Sequence, residues 1–390
     1  MKIGIVTFVN CGNYGAELQA FALQHKLNEM GYDAEVIDIE KEYLTSSDAV
    51  KGAIVSRLKY YGPIKGSWKV LQLIWSKYQA KKRKGFNPEK AKIKSDRYRA
   101  FWNECTKHSA KYYSLADLRE ATDLPWDILI TGSDQVWNYR QTNYLDVYML
   151  KFAKRLGKKA NSYAASFGFS ELPEDHKDEY ANLLKDLDAI SVRESNGLDI
   201  VRNCCNREAT QVLDPTLLLN GKQWIEAVGV KDYVPEGKRF VIIYTITGSK
   251  YIYKLAKNIA RQLNAEVINI KGDMSAINPN DGIIHIQDAG PREFVTLMSH
   301  AVYVITDSFH GTCFSINFNV PFTLLMNPVS KNNSRGISLL NMLKLQDRYM
   351  FEDGSRQHPV SLNVDFSTTN SILEEMREKS QSFITNNLQK

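Results

Sequence analysis

Apolar runs of strand length alternate with helical patterns along most of this chain, and that alternation restricts it to an α/β fold of parallel sheets covered by helices. The series begins at once. Residues 1–8 read as a buried strand, 10–15 as a Gly/Asn turn, and 16–30 as a helix with Leu18, Phe21, Ala22 and Leu27 at apolar positions. Gly31 ends that helix, and 34–39 forms the next strand. Strands are expected again at 127–131, 159–166 and 189–192, with 210–219 leading out of the region. A second series runs through strands at 239–246, 266–270, 283–286, 302–306 and 322–326, with a helix at 251–263.

At 390 residues the chain exceeds what one core usually organises. An N-terminal Rossmann-like domain over 1–215 and a C-terminal one over 216–390, joined near 215–235, would enclose a cleft. Between 43 and 123 the pattern turns aromatic, basic and helical, with Trp68, Leu71, Ile74, Trp75 and Tyr78 near helical spacing. This is expected to be a helical insertion in the first domain, which either packs its aromatic stripe, covers the active site or meets an acceptor. Residues 367–388 predict a terminal helix with Ile372, Leu373, Met376, Phe383 and Ile384 on one broad face, placed to cross back onto the first domain.

Composition excludes several classes. A hydrophobic share of 43% and a charged share of 24% belong to a globular protein rather than a disordered one. The net charge of +6 is uneven, with a basic run at Lys77, Lys81, Lys82, Arg83, Lys84, Lys90, Lys92 and Lys94. That run is either a solvated helical face or an attraction to an anionic polymer or membrane surface. No nucleic-acid motif accompanies it, so no nucleic-acid partner is expected. Cys11, Cys105, Cys204, Cys205 and Cys313 form an odd set without paired CxxC spacing, and no signal-peptide pattern opens the chain, so a cytoplasmic protein is expected. Its longest apolar runs, such as 301–305, are strand-sized; membrane association would be peripheral, at the inner face.

In open α/β sheets ligands sit beyond the carboxyl ends of the strands, and four polar clusters lie at such ends: 10–15, 131–135, 191–194 and 306–311. The first is either a plain tight turn or a set of backbone N–H groups for an anion or hydroxyls. It has neither GxGxxG spacing nor a P-loop ending. In the last, His310 follows a strand that ends in Asp307 and Ser308 and precedes Gly311. Histidine can give and take a proton near neutrality. Asp307 either orients that imidazole or binds a backbone amide. Arg193, at another strand end, needs a partner if buried, which is either Glu194 or another carboxylate, or an anionic substrate. Arg335 lies in what reads as a loop at 332–336, either solvated or a second anion clamp. No grouping has metal-ligand spacing and no Asp-x-Asp signature is present, so no metal or cofactor is required.

Six pieces in order across 1–345 resemble the polysaccharide pyruvyltransferase family: Asn13-Tyr14-Gly15-Ala16 with Leu18-Gln19-Ala20, Gly132-Ser133-Asp134-Gln135-Val136-Trp137-Asn138, Tyr163-Ala164-Ala165-Ser166-Phe167-Gly168, Ser191-Val192-Arg193-Glu194, Val212-Leu213-Asp214-Pro215-Thr216 and Asp307-Ser308-Phe309-His310-Gly311. The resemblance implies two Rossmann-like domains similar to the GT-B glycosyltransferase architecture. It implies phosphoenolpyruvate as donor substrate, and transfer of its pyruvyl group to sugar hydroxyls of a polysaccharide or lipid-linked glycan, as in cell-envelope or exopolysaccharide synthesis, with ketal formation and phosphate release. It makes His310 the general acid/base and Arg193 a catalytic, donor-binding arginine, with Ser308 and Phe309 in the donor site. Some relatives carry a basic residue where Ser308 stands, so either Arg335 or Lys331 supplies that charge or the donor is held differently. Asn13, Tyr14, Gly15, Ser133, Asp134 and Gln135 are further substrate-binding candidates. The alternatives are a nucleotide-sugar-dependent glycosyltransferase and a non-catalytic glycan-binding protein. Acceptor identity and oligomeric state stay open.

Overall fold

The structure is a computed structural model that describes residues 1–40, 87–230, 233–234, 237–247, 249–270, 281–328, 333–355 and 361–388. Four strands, β1 (Lys2–Val6), β2 (Asp33–Val36), β3 (Ile128–Thr131) and β4 (Lys159–Ser162), form a parallel sheet in the order β2-β1-β3-β4. Single bridges from Asn161 to Ala189 and from Ala165 to Val192 lead on to a short parallel pair, β5 (Ser191–Val192) and β6 (Thr210–Gln211). A second parallel sheet contains β7 (Phe240–Tyr244), β8 (Glu266–Ile270), β9 (Ile284–Ile286), β10 (Tyr303–Thr306), β11 (Phe322–Met326) and β12 (Tyr349–Phe351), in the order β12-β11-β10-β7-β8-β9. Every residue of β3, β7, β10 and β11 is buried. That is why these strands read as continuous apolar runs: both faces of a parallel sheet are covered by helices.

Six helices place the site: α1 (Tyr14–Glu29), α2 (Pro88–Cys105), α3 (Pro291–His300), α4 (Phe309–Asn317), α5 (Asn333–Met342) and α6 (Ser367–Leu388). Helix α1 starts two residues before the position expected from the sequence. The Asn13 side chain caps it, accepting from the Gly15 and Ala16 amides. Tyr14 and Gly15 are therefore helical rather than part of a turn.

Most of the anticipated insertion, including Trp68, Leu71, Ile74, Trp75 and Tyr78, lies outside the described residues. Its described part contains α2, which binds the second half through Arg97. The guanidinium Nη1 donates to the Asp288 carbonyl at 2.8 Å, and Nε stands 3.3 Å from Glu293 Oε1. Helix α6 spans the range expected from its apolar face and touches residues before 220. The Leu213 amide donates to Ser380 Oγ at 3.0 Å, Arg377 Nε to the Leu217 carbonyl at 2.8 Å, and Asn161 Nδ2 to the Asn387 carbonyl at 3.3 Å.

One apolar cluster joins the two sheets, running from Ile3 and Leu18 through Leu217 and Trp224 to Tyr244, Phe294 and Phe314. At its centre the Tyr14 ring stacks on Phe294, with centroids 4.6 Å apart, and the Tyr14 hydroxyl donates to the Ala289 carbonyl at 2.7 Å. Such pairing adds about 0.5–1.5 kcal/mol beyond area burial. It fixes the start of α1 against the second half. No helix among the described residues is long and apolar enough to cross a membrane.

Candidate active site

The segments beyond the carboxyl ends of β1, β3, β5 and β10 supply Gly15, Ser133 and Asp134, Arg193 and Glu194, and His310 respectively. Ser308 caps α4 by accepting from the Gly311 amide at 3.3 Å, which sets Phe309 and His310 in the first turn. Across the seam, His310 packs against the backbone of Gly15: a β-carbon built on that glycine would stand 2.1 Å from Nδ1.

The other edge of the imidazole faces Asp214. This carboxylate is fully buried and caps the short turn Pro215–Leu217. Its Oδ1 accepts from the Thr216 amide at 3.0 Å and hydroxyl at 2.7 Å. Its Oδ2 accepts from Ser133 Oγ at 3.0 Å and Arg193 Nη1 at 2.7 Å, and lies 3.6 Å from His310 Nε2. Burial pushes the Asp214 carboxyl up, but His310, Arg193 and Thr216 together hold it below the usual carboxylate range. It is ionised at neutral pH.

Arg193 is equally enclosed. Besides Asp214, its Nη2 lies 3.6 Å from Asp134 Oδ1 and its Nε 3.7 Å from Glu194 Oε2, while the Phe309 ring covers the guanidinium at 4.2 Å. Burial works against the charge, but the three carboxylates raise the Arg193 pKa above its ordinary value. Glu194 is anchored through Oε1, which accepts from Ser166 Oγ at 2.7 Å and the Phe167 amide at 3.1 Å.

Five buried polar atoms here have no hydrogen-bond partner: Arg193 Nε and Nη2, Glu194 Oε2, His310 Nε2 and Arg335 Nε. Buried polar groups are nearly always paired. All five belong to Arg193 and the residues around it, where charges face one another at 3.6–3.7 Å without forming hydrogen bonds.

Outside the cluster lies a cleft of about 400 Å³. Asn13, Gln135 and Gln141 line it from the first half, and Thr247, Asp307, Phe309, Arg335 and Glu352 from the second. The sequence-derived candidates thus separate into three places. Asn13, Gln135, Phe309 and Arg335 face the cleft. His310, Gly15, Ser133, Asp134, Arg193 and Ser308 belong to the packed layer behind it, and Tyr14 sits in the aromatic core. Lys331 lies outside the described residues.

One expectation needs correction, and one open reading is resolved. Arg335 is in the first turn of α5 rather than in a loop, because Gly336 packs closely on Leu324 and Met326 and lets the helix start there. Of the two roles open to Asp307, the structure selects the backbone one. It accepts from the Ile246 amide at 2.7 Å, the Thr247 amide at 3.0 Å and the Thr245 hydroxyl at 2.6 Å, shaping the loop after β7. The carboxylate beside His310 is Asp214, which sequence reasoning placed within a motif without giving it a role. Among the described residues no group of three or more His, Cys, Asp and Glu side chains is arranged to hold a metal ion.

A sequence model of the polysaccharide pyruvyl transferase family matches residues 13–328, and the chain belongs to that family. The matched span contains every member of the buried cluster except Arg335. No curated protein matches the chain in sequence. Solved structures with a similar course include UDP-GlcNAc 2-epimerase from Neisseria meningitidis bound to UDP-GlcNAc, at 11% identity and TM-score 0.45, covering 100% of this chain and 94% of that one. The UDP-GlcNAc 2-epimerase from Methanocaldococcus jannaschii has 12% identity and TM-score 0.43, covering 97% and 100%. The glycosyltransferase SnogD from Streptomyces nogalater has 12% identity and TM-score 0.41, covering 98% and 96%.

Proposed function

We propose that this transferase moves the pyruvyl group of phosphoenolpyruvate onto two hydroxyls of a sugar, in a polysaccharide or lipid-linked glycan, forming a cyclic ketal and releasing phosphate. The observation that carries the proposal is the buried assembly of His310, Asp214 and Arg193 directly behind a polar cleft edged by Arg335.

In this reaction one sugar hydroxyl adds through oxygen to C2 of the enol phosphate while C3 takes a proton, turning the methylene into a methyl. The second hydroxyl then forms the other C2–O bond, and the bond to phosphate breaks with its electron pair on the leaving oxygen. Two hydroxyl protons are released overall; one replaces the proton delivered to C3 and the other leaves with phosphate. His310 is the group that delivers and recovers that proton.

The donor is a carboxylate and a phosphate together, so its site needs positive potential. Arg335 provides a guanidinium fork in the cleft, and the N-terminus of α4, which carries Phe309, adds its helix dipole. Arg193 acts from behind Phe309, through the carboxylates it holds. The amides of Gln135 and Gln141 suit sugar hydroxyls, since each offers both donors and acceptors, and Asn13 adds the Nδ2 donor left over from its capping of α1. The enzyme acts in the cytoplasm, meeting lipid-linked acceptors at the inner membrane face.

Thermal unfolding with phosphoenolpyruvate and with a panel of nucleotide sugars tests the donor. A ligand of the folded state at 100 times its Kd stabilises it by about 2.7 kcal/mol. Selective stabilisation by phosphoenolpyruvate is expected. Stabilisation by a nucleotide sugar alone would replace the reading with glycosyl transfer, and response to glycan without any donor would leave a binding protein.

A further inference from the structure

We propose that Asp214 is a positioning residue for His310: it holds the imidazole as the Nε2–H tautomer and leaves the lone pair on Nδ1. The inference rests on the pyruvyl-transfer reading for its kinetic consequences and on geometry alone for the tautomer.

The imidazole has two distinguishable edges. Nε2 is buried and points at Asp214 Oδ2 across 3.6 Å. An ionised carboxylate only accepts hydrogen bonds, and Arg193 is positioned to keep this one ionised, at 2.7 Å on the same oxygen. The remaining contacts of Asp214 are donors too: Ser133 Oγ, the Thr216 amide and the Thr216 hydroxyl. Neutral imidazole carries its single proton where an acceptor faces it, which is Nε2. Nδ1 then holds the lone pair, and it faces the first turn of α1 at Gly15, beside the Asn13 cap that lines the cleft.

The 3.6 Å separation exceeds a formed hydrogen bond of about 2.7–3.2 Å. Catalytic hydrogen bonds commonly tighten only in the complex with substrate. Arg193, Asp214 and His310 form a line in which charge is fixed at one end and a proton moves at the other. Wrong-tautomer variants of comparable triads lose about four orders of magnitude in rate.

The test uses the full-length protein. Long-range proton–nitrogen correlation spectra of histidine-labelled protein report the tautomer of each of the seven histidines, and the His310→Gln variant identifies the signal that belongs to His310. An Nε2–H tautomer is expected at His310; an Nδ1–H tautomer overturns the proposal. In kinetics, Asp214→Asn is expected to lower kcat about 100-fold or more while changing the donor KM less than about threefold, with partial recovery in Asp214→Glu. Unchanged kcat per folded molecule in Asp214→Asn also overturns it. Should Asp214→Asn fail to fold because Arg193 loses its partner, the wild-type tautomer decides alone. If no pyruvyl transfer is found with any acceptor, the functional reading fails, while the spectrum still decides the role of Asp214.

Discussion

Gly15 and His310 lie in contact across the seam between the two sheets: a β-carbon on Gly15 would stand 2.1 Å from Nδ1, 2.5 Å from Cγ and 2.8 Å from Cε1 of the imidazole. Both residues occupy first helical turns, one in α1 and one in α4. Glycine is required here for close approach rather than for its backbone freedom. Gly15→Ala must displace the ring, and loss of a positioned acid/base group removes about 100-fold or more in rate. Steady-state kinetics should show that fall in kcat, with circular dichroism confirming a folded protein. Wild-type turnover would separate His310 from the chemistry.

Arg193 and Arg335 should fail in different ways. Arg193→Ala leaves Asp214 and Glu194 buried without their cation. Breaking a buried ion pair in this manner costs about 3–5 kcal/mol, so the urea midpoint should drop sharply.

Arg335→Ala removes a cleft-lining guanidinium whose Nε makes no hydrogen bond. Both burial and the neighbouring charge of Arg193 lower its pKa from the ordinary value, though Asp134, Glu194 and Asp214 oppose this. Its loss should change stability by under about 1 kcal/mol and weaken phosphoenolpyruvate binding about tenfold or more, as expected for one charge-assisted contact. Calorimetric titration checks the binding term. Unchanged donor affinity would remove Arg335 from the donor site.

Much of the framework follows from local pattern, whereas the site depends on contacts made at long range. The apolar face of Leu373, Met376 and Ile384 defined α6 because helical spacing is local, and buried runs such as Phe240–Tyr244 defined the sheets. Arg193 drew attention because a buried guanidinium requires a partner. Its partner could not be read from the chain, since Asp214 meets Arg193 and His310 only after folding. The local signal at Asp214 was an Asp before Pro, capping a turn, which is common and carries no chemistry by itself. The start of α5 was missed because Asn333, Ser334 and Gly336 favour turns, and the packing of Gly336 on Leu324 overrides that preference.

Lys94, on α2, introduces a pH dependence. Burial lowers its pKa from 10.5 to about 8, with its ammonium 4.7 Å from the Tyr14 ring centre and 5.8 Å from that of Tyr98. Both tyrosines are pushed up by burial and stay neutral across that interval. Between about pH 8 and 10.5 the unfolded chain binds a proton at this lysine that the folded chain does not. Stability contributed through Lys94 therefore rises with pH over that window. Lys94→Met should flatten the rise. The difference in urea midpoint between wild type and variant, followed across the window, measures it; parallel profiles would contradict the assignment.

The proposed pyruvyl transfer runs through His310. The most direct measurement is incubation with phosphoenolpyruvate and a panel of glycan intermediates, followed by mass spectrometry and phosphate assay, for wild type and His310→Ala. The wild type should add one pyruvyl ketal, a gain of pyruvic acid less one water, with one phosphate released per product. His310→Ala, folded and still binding donor, should give neither. Equal product and phosphate from His310→Ala would contradict the assignment.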